Sequence, residues 1–419
     1  MATLTTLDSI LKEFYLGPIH DQLNKEVLAV ELFSKATVDW QGKRAVIPVR
    51  TVRNTGVAFL AESATLPTAG SQGYGDLQIT ARFVYGRFTV TGPSIEAAKS
   101  SAGAFVMAME SEMDGLVTDV KNAANNAMFH GGSVIGFVWE KVNQATFEYA
   151  GATACADGTA FTLGAAATTG QLVRLDTYAT VGAATRINTI TESSIVFNAP
   201  IDTTAVTAGV VLAVVLPATS TVKYGVAGAW DREPNGIFGN LATTSHFGED
   251  RTDATGASSL QSVFAVVDPA TDVYATLTLR SMQRLLDSIN DASGKEPDVI
   301  LCNNVMKVEY TSLLQGVAAA NLMVGTDKSQ DGHAGFGAIF YNSIPIKSSR
   351  HCPKGLFINL SAKASWCLAE LGKGSFMDQD GAVLSRVANT DAYEGTYRWY
   401  YNLVCKQPGA NGILCAVDF

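Results

Sequence analysis

FTVTGPSIEAAKSSAGAFVMAMESEMDGLVTDVKNAANNAMFHGG occupies residues 88–132, and its period changes part-way along. The first residues belong to a strand-like alternation that stops at Gly92-Pro93-Ser94. Beyond the break, Phe105, Met109, Met113, Leu116, Val120, Ala124 and Ala127 recur at spacings of 4, 4, 3, 4, 4 and 3. That is the apolar seam of one long helix, with Glu112, Asp119 and Asn122 on the opposite face and His130-Gly131-Gly132 closing it. From residue 102 to residue 129 such a helix extends roughly 40 Å at a rise of about 1.5 Å per residue. A single seam of this length does not require a coiled coil.

Upstream lie two strand signals, KRAVIPVRTV and DLQITARFVYGRFTV (residues 43–52 and 76–90). In the second, Leu77, Ile79, Ala81 and Phe83 alternate onto one face. Between them runs NTGVAFLAESATLPTAGSQGYG, residues 54–75, which fits neither a helix nor a strand. The expected structure is a hairpin with a tip of some twenty residues. A loop of that length inside a domain is functional or disordered, and this one is too apolar for a plain linker. Phe59, Leu60, Leu66 and Tyr74 are its candidate contact residues. Nearer the N-terminus, Leu7, Ile10, Leu11 and Phe14 share a helical face up to Gly17-Pro18, and a second amphipathic stretch covers residues 23–33. The pair reads as a helical hairpin or as an arm laid on a neighbour.

Downstream, residues 137–226 are sparse in charge and rich in Thr, Ala, Val and Gly, with short β-type runs between turns. This predicts a small all-β unit, a barrel or a sandwich. The apolar run GVVLAVVLP at residues 209–217 is too short to cross a bilayer and reads as a buried strand. Residues 230–262 read as loop-rich. TLTLRSMQRLLDSIN is a helix with Leu279, Met282, Leu286 and Ile289 on one face, stopped at Gly294. DVILCN is a strand and NVMKVEYTSLLQ a further helix, so residues 270–316 form an α–β–α unit. A Gly-rich loop at 317–337 precedes five closing strands, interrupted by a turn-rich excursion at 372–390.

The 419 residues are 47% hydrophobic and only 16% charged. The length suggests two or three domains, and the low charge suggests much surface buried against something, by self-association or within a very compact β-rich monomer. A net charge of −9 with no run of Lys and Arg disfavours tight binding to a nucleic-acid backbone, though such a surface can face packed DNA without sticking to it. Six scattered cysteines form no CxxC pair, so neither a zinc site nor a thioredoxin motif is offered, and with no secretion signal the thiols are expected to stay reduced. No two of the five histidines have metal-ligand spacing on a helix. The nearest constellation, His246, Glu249, Asp250 and Asp253, reads as a solvated acidic loop. DQDG at 378–381 lacks the rest of a calcium loop, GKGS at 372–375 lacks the first glycine of a phosphate loop, and GSQGYG at 70–75 follows no βα step. Nothing resembles a nucleophile elbow. The expectation is a chain with no catalytic residues, no cofactor and no metal.

Hairpin, Thr-bearing turn at Val90-Thr91, short acidic helix at Ile95-Glu96-Ala97 and long helix ending at Gly131 together resemble the tailed-bacteriophage major capsid protein family, whose shell fold is shared with encapsulins and the herpesvirus capsid floor. FYNSIPIKSSRHCPKGLFINL and YEGTYRWYYNLVCKQPGANGILCAV are similar to the family's closing strands. The resemblance covers residues 44–132 and 270–419. It implies an α+β fold: an N-terminal arm (1–43), an extended hairpin loop (44–92), a peripheral domain with the spine helix (93–136 and 338–419), and an axial α/β domain (229–337). Residues 137–228 then form an inserted barrel-like β domain. The implied function is the major capsid protein of a double-stranded DNA phage, assembled in the host cytoplasm as pentamers and hexamers of an icosahedral virion shell. The implied partners are further copies of itself, portal and scaffolding proteins, a decoration or cement protein, and packaged DNA by nonspecific proximity; no membrane is involved. The hairpin tip would lie on an adjacent subunit, with Gly70, Gly73 and Gly75 letting it fit differing angles. Some family members join subunits through a hairpin lysine and a neighbour's asparagine, but no lysine stands between Lys43 and Lys99, so noncovalent contacts are expected here. Rival readings are an encapsulin-type nanocompartment, a tail tube or sheath subunit, or a hydrolase or adhesin built on the β insertion.

Overall fold

A computed structural model describes residues 27–33, 40, 42–62, 64–94, 102–141, 143, 145–202, 210–252, 260–268, 275–317, 339–378 and 383–418; for 102–111, 140, 141 and 315–317 only the backbone is described. The helical stretch expected before residue 23, the acidic helix at 95–97, the Gly-rich loop at 318–337 and most of DQDG lie outside these residues.

A short helix, α1 (Leu28–Phe33), lies on the long helix α2 (Ala102–His130). Its Ala29 N–H donates to Asn125 Oδ1 at 2.8 Å, and the Phe33 ring stands 5.1 Å from Trp366. Strands β1 (Ala45–Val52) and β2 (Gly73–Ile79) form an antiparallel ribbon from Ala45↔Ile79 to Val52↔Gly73. The expected single strand over 76–90 is corrected: β2 ends at Ile79, and β3 (Arg82–Thr91) leaves the ribbon to pair with the strand at residues 392–405. The side-chain phase flips there. Leu77 and Ile79 are buried, then Val84, Gly86 and Phe88 turn inward, while Phe83 and Tyr85 are 55% and 59% exposed. The cause is a long-range bond: Asn402 Nδ2 donates to the Thr80 carbonyl at 2.9 Å, drawing the chain from one ladder to the other. A Cβ at Gly86 would stand 2.6 Å from Val120 Cγ2, so only glycine lets α2 sit this close on β3.

Six strands then close a barrel: β4 (Val134–Lys141), β5 (Thr146–Gly151), β6 (Thr169–Arg174), β7 (Thr180–Ile190), β8 (Ser194–Phe197) and β9 (Leu212–Val215), in the order β4-β5-β8-β7-β6-β9. Its interior is an apolar cluster including Ile135, Val138, Phe147, Leu172, Ile187, Phe197 and Val214.

The region expected to be loop-rich hides α3 (Ile237–Ala242), whose six residues are all buried. Its glycine, Gly239, the N-cap Gly236 before it and its polar Asn240 mask any helical period. Asn240 is a fixed crosspiece, its Nδ2 donating to the Leu403 carbonyl at 3.0 Å and its Oδ1 accepting from Cys405 N–H at 3.0 Å. A two-residue pair follows, β10 (Ser245–His246) and β11 (Glu249–Asp250).

The remaining elements are β12 (Val263–Val266), α4 (Leu279–Ser293), β13 (Val299–Cys302), α5 (Asn304–Val317), β14 (Ile339–Tyr341), β15 (Ile344–Ser348), β16 (Phe357–Leu360), β17 (Trp366–Phe376), β18 (Leu384–Arg386), β19 (Ala392–Cys405) and β20 (Gly412–Cys415). Helix α4 begins in a capping box between Thr278 and Ser281 and ends at left-handed Gly294, φ 68°. A six-stranded mixed sheet runs β12-β20-β16-β13-β15-β14, drawing strands from both sides of residue 337, and α4 buries Met282, Leu285, Leu286 and Ile289 against it. The second sheet is built on β19, flanked by β3 on one side and by β17 and β18 on the other. The expected excursion from residue 372 is corrected in its first part, because β17 runs on to Phe376 through two register shifts.

Candidate assembly surface

Among the described residues of the tip, 53–62 and 64–72, there is no helix or strand. Val57 is 79% exposed, Phe59 104%, Leu60 46% and Leu66 84%, and Tyr74 at the start of β2 is 72% exposed. The base of this hairpin, by contrast, is pinned. Asp76 N–H donates to Glu249 Oε1 at 3.1 Å and Gln78 N–H to the Phe247 carbonyl at 2.9 Å. Along the arm, Arg44 donates to Gln78 Oε1 at 2.6 Å and Arg50 to Gln72 Oε1 at 2.9 Å. Glycine has a steric role where the two sides of the tip meet: a Cβ on Gly70 would lie 2.8 Å from Gly56 N and 2.5 Å from Asn54 Oδ1. The result is an ordered arm that presents unburied apolar side chains.

Of the expected spine seam, Phe105 and Met109 lie where only the backbone is described. Met113 and Leu116 are half-buried and Val120 is buried, so the seam sinks into the core towards its C-terminal end. Glu112, Asp114 and Asp119 are exposed.

Sequence reasoning missed the joint where α2 enters the barrel. Lys223 and Glu233, 2% and 6% exposed, form an ion pair of 2.6 Å. The Lys223 ammonium also donates to the His130 and Gly132 carbonyls, at 3.0 Å each, at the C-terminal end of α2, where a cation complements the helix dipole. Glu233 Oε2 accepts from Gly132 N–H at 3.3 Å. His130 Nε2 bonds the His351 carbonyl at 2.8 Å; burial holds its pKa down at about 3, against the opposing effect of that hydrogen bond and with the Lys223 charge adding to the lowering. A second missed joint is Arg251, fully buried, whose guanidinium donates to the Asn240, Leu241 and Thr243 carbonyls and lies 5.2 Å from the Tyr178 ring. Tyr178 sits on the barrel and donates its hydroxyl to the Leu241 carbonyl at 2.9 Å. The only sequence signal was Lys223 in an otherwise charge-poor stretch; Arg251 stands among Glu249, Asp250 and Asp253 and gave none.

Of the acidic-loop constellation, His246 is corrected, Asp250 is exposed as expected, and Asp253 lies outside the described residues. His246 is 1% exposed, and its Nε2 bonds the Cys405 carbonyl at 2.8 Å. Burial, with the Arg251 charge beside it, pushes its pKa well below the usual value. Among the described residues no group of three or more His, Cys, Asp or Glu side chains is placed to hold a metal ion. GKGS lies within β17. All six cysteines are buried and none is in a disulfide, and burial raises the thiols of Cys155, Cys302, Cys367, Cys405 and Cys415, Cys302 and Cys405 to about 12. Among the described residues no helix is long and apolar enough to cross a membrane.

No family model matches the chain, and no curated protein matches its sequence. Solved structures do match its fold. A chain of the cyanophage A-1(L) capsid asymmetric unit superposes with a TM-score of 0.61 at 10% identity, over 99% of each chain. A chain of the capsid of a native GTA particle gives a TM-score of 0.52 at 7% identity, over 100% of each. Ribbon, long helix, mixed sheet and β19-centred sheet therefore assemble into one known architecture, and this chain has the phage major capsid fold.

Proposed function

We propose that this chain is the major capsid protein of a tailed double-stranded DNA phage, assembling noncovalently into the pentamers and hexamers of an icosahedral virion shell. In this reading the hairpin is the extended loop, α2 the spine helix, the mixed sheet with α4 and α5 the core of the axial domain, and the barrel an insertion. The observation that carries the reading is the tip: Phe59 and Leu66 are exposed on an arm whose base is pinned. Leaving such side chains in water forgoes about 1.5–3 kcal/mol each, which burial at a subunit contact would recover. Summed over every copy in a shell, a contact of this size holds many weak interfaces together.

Negative-stain microscopy of the purified full chain tests it. Closed shells of uniform diameter are the expected result; open tubes, or a monomer at every concentration, would overturn it. With no lysine between Lys43 and Lys99, boiled and reduced shells should run as a single band near 44.2 kDa. Covalent multimers surviving reduction would show that another lysine forms a cross-link.

A further inference from the structure

Between the end of β2 at Ile79 and the start of β3 at Arg82 the chain forks, and a cavity of about 640 Å³ opens there. It lies between the root of the hairpin, the chain leaving β9 of the barrel, and the turn at residues 229–232. The charged residues on its wall are Arg44, Arg82 and Asp231, so the cavity is net positive in a chain whose net charge is −9. Hydroxyl and amide groups make up much of the remaining wall, and Trp230 and Phe247 supply apolar surface. Beside such surface the attraction between charges is less screened than in open water.

The two arginines differ in what they hold. Arg44 is exposed and donates to Gln78 Oε1 at 2.6 Å, an acceptor that carries no charge. Arg82 is 22% exposed and pairs with Asp231 through Nη2, which donates to Oδ1 at 2.6 Å. Its Nε is buried and has no acceptor among the described residues. Nε and Nη2 form one edge of the guanidinium fork, the edge that takes a carboxylate or phosphate through two oxygens at once. Asp231 fills half of that edge from a side chain that is 61% exposed. Leaving a buried cationic N–H without an acceptor is costly, so an oxyanion that meets both N–H groups has the advantage over Asp231.

We propose that this cavity is an oxyanion site, taking a phosphate or carboxylate group across the Nε–Nη2 edge of Arg82 in place of Asp231, with Arg44 as the second cation. Arg44 stands at the start of the ribbon and Arg82 at the start of β3, so the bound group ties the root of the arm to the sheet and fixes the angle between them. The consequence for the arm rests on the reading that the chain self-assembles; the site itself does not.

The test follows thermal unfolding of the full chain, below the concentration at which it assembles, against rising inorganic phosphate with ionic strength held constant by chloride. A ligand that binds the folded chain raises its melting temperature in a saturable way, whereas the general salting effect of phosphate does not saturate and is shared by every variant. A saturable rise is expected. Arg44→Gln should weaken the apparent affinity several-fold, and Asp231→Asn should tighten it by removing the competing carboxylate. Arg350→Gln, which removes an exposed positive charge outside the cavity, should leave it unchanged. No saturable rise, an equal loss in Arg44→Gln and Arg350→Gln, or no tightening in Asp231→Asn would overturn the proposal. The group can come from a free anion or from an acidic side chain of a second copy, and assembly tells them apart. Phosphate lowers the protein concentration at which shells form if a free anion is the occupant, and raises it if a neighbour's side chain is displaced; no change in either direction overturns the bracing role. A chain that binds phosphate as described but never assembles leaves the site standing and ends the capsid reading.

Discussion

The barrel and the hairpin tip are both rich in small residues and poor in charge, yet they dispose of their apolar groups in opposite ways. Six strands close on themselves, so Leu172, Ile187 and Phe197 are 0–1% exposed. Two strands cannot close, and the tip they carry holds Phe59 at 104% exposure. A two-stranded ribbon has no interior and is marginal alone, whereas a closed barrel has no edges to satisfy elsewhere. Composition is therefore a poor guide to where an apolar side chain ends up; strand number and closure decide it. The barrel buries its apolar side chains within the chain, whereas the tip leaves Phe59 and Leu66 exposed.

The sharpest way to break this contrast is to substitute matched residues in the two regions. Phe59→Ser with Leu60→Ser should abolish shell assembly while shifting subunit stability by less than about 0.5 kcal/mol, since neither side chain is in the subunit core. Phe197→Ala in the barrel should cost about 3–5 kcal/mol by leaving a cavity. Denaturant unfolding of the unassembled chain measures both. A tip variant that unfolds as an isolated subunit would place the tip in the subunit's own core and end the comparison.

A comparable loss is expected at the joint that ties the barrel to α2. Lys223→Met leaves the Glu233 carboxylate buried without its cation and strips two carbonyls at the end of α2 of their donor. Breaking a buried pair from one side costs about 3–5 kcal/mol, whereas replacing both members with apolar residues of similar volume is often neutral. Lys223→Met with Glu233→Leu should therefore melt well above Lys223→Met alone. Equal melting temperatures for the single and double variants would mean that the loss comes from packing, not from the stranded charge.

What could be read in the sequence was what is local. The seam of α2 and the caps of α4 rest on residues three or four apart, so both were legible. So was the apolar tip between two strand signals. The break between β2 and β3 was not, because it depends on Asn402, 322 residues away, and the alternation of Leu77, Ile79, Ala81 and Phe83 looks unbroken without it. Helix α3 was invisible because its burial is set by the strands around it and not by its own period. The Lys223–Glu233 pair is ten residues apart, but its meaning lies in the end of α2, 91 to 93 residues away. At the tip, exposure was legible as excess apolar content.

The two buried histidines give a smaller effect that depends on pH. Each is neutral in the folded chain, His130 with a pKa held at about 3 and His246 well below 6.5, its value when exposed. Between pH 6.5 and about 3 the unfolded chain binds protons that the folded chain does not, so this contribution is fully present above pH 6.5 and is lost as the pH falls. Each histidine therefore lowers the stability as the pH falls below 6.5, His130 down to about pH 3. The hydrogen bonds to the His351 and Cys405 carbonyls favour the charged forms but do not reverse the sign, because burial is the largest effect at both histidines, with Lys223 beside His130 and Arg251 beside His246 adding to it. Urea unfolding at pH 6.5 and 5.5 should show the loss, and His246→Gln should remove its share. An unchanged slope in that variant would assign the pH dependence to other groups.

The smallest effect is expected at the outer tie between barrel and body. Lys354 donates to Glu192 Oε2 at 2.6 Å across 162 residues, about the same separation as in the Lys223–Glu233 pair. The surroundings differ: Lys354 and Glu192 are 31% and 67% exposed, where Lys223 and Glu233 are 2% and 6%. In water the two charges are already well solvated, the Coulomb gain is small, and salt screens it. Glu192→Ala should therefore cost no more than about 1 kcal/mol, and less at high ionic strength. The exposed pair marks where the barrel edge meets the turn before β16, while the buried pair fixes how the barrel leaves α2. If Glu192→Ala proves as damaging as Lys223→Met, the barrel is held from its rim, and the buried joint is not what fixes it to the spine.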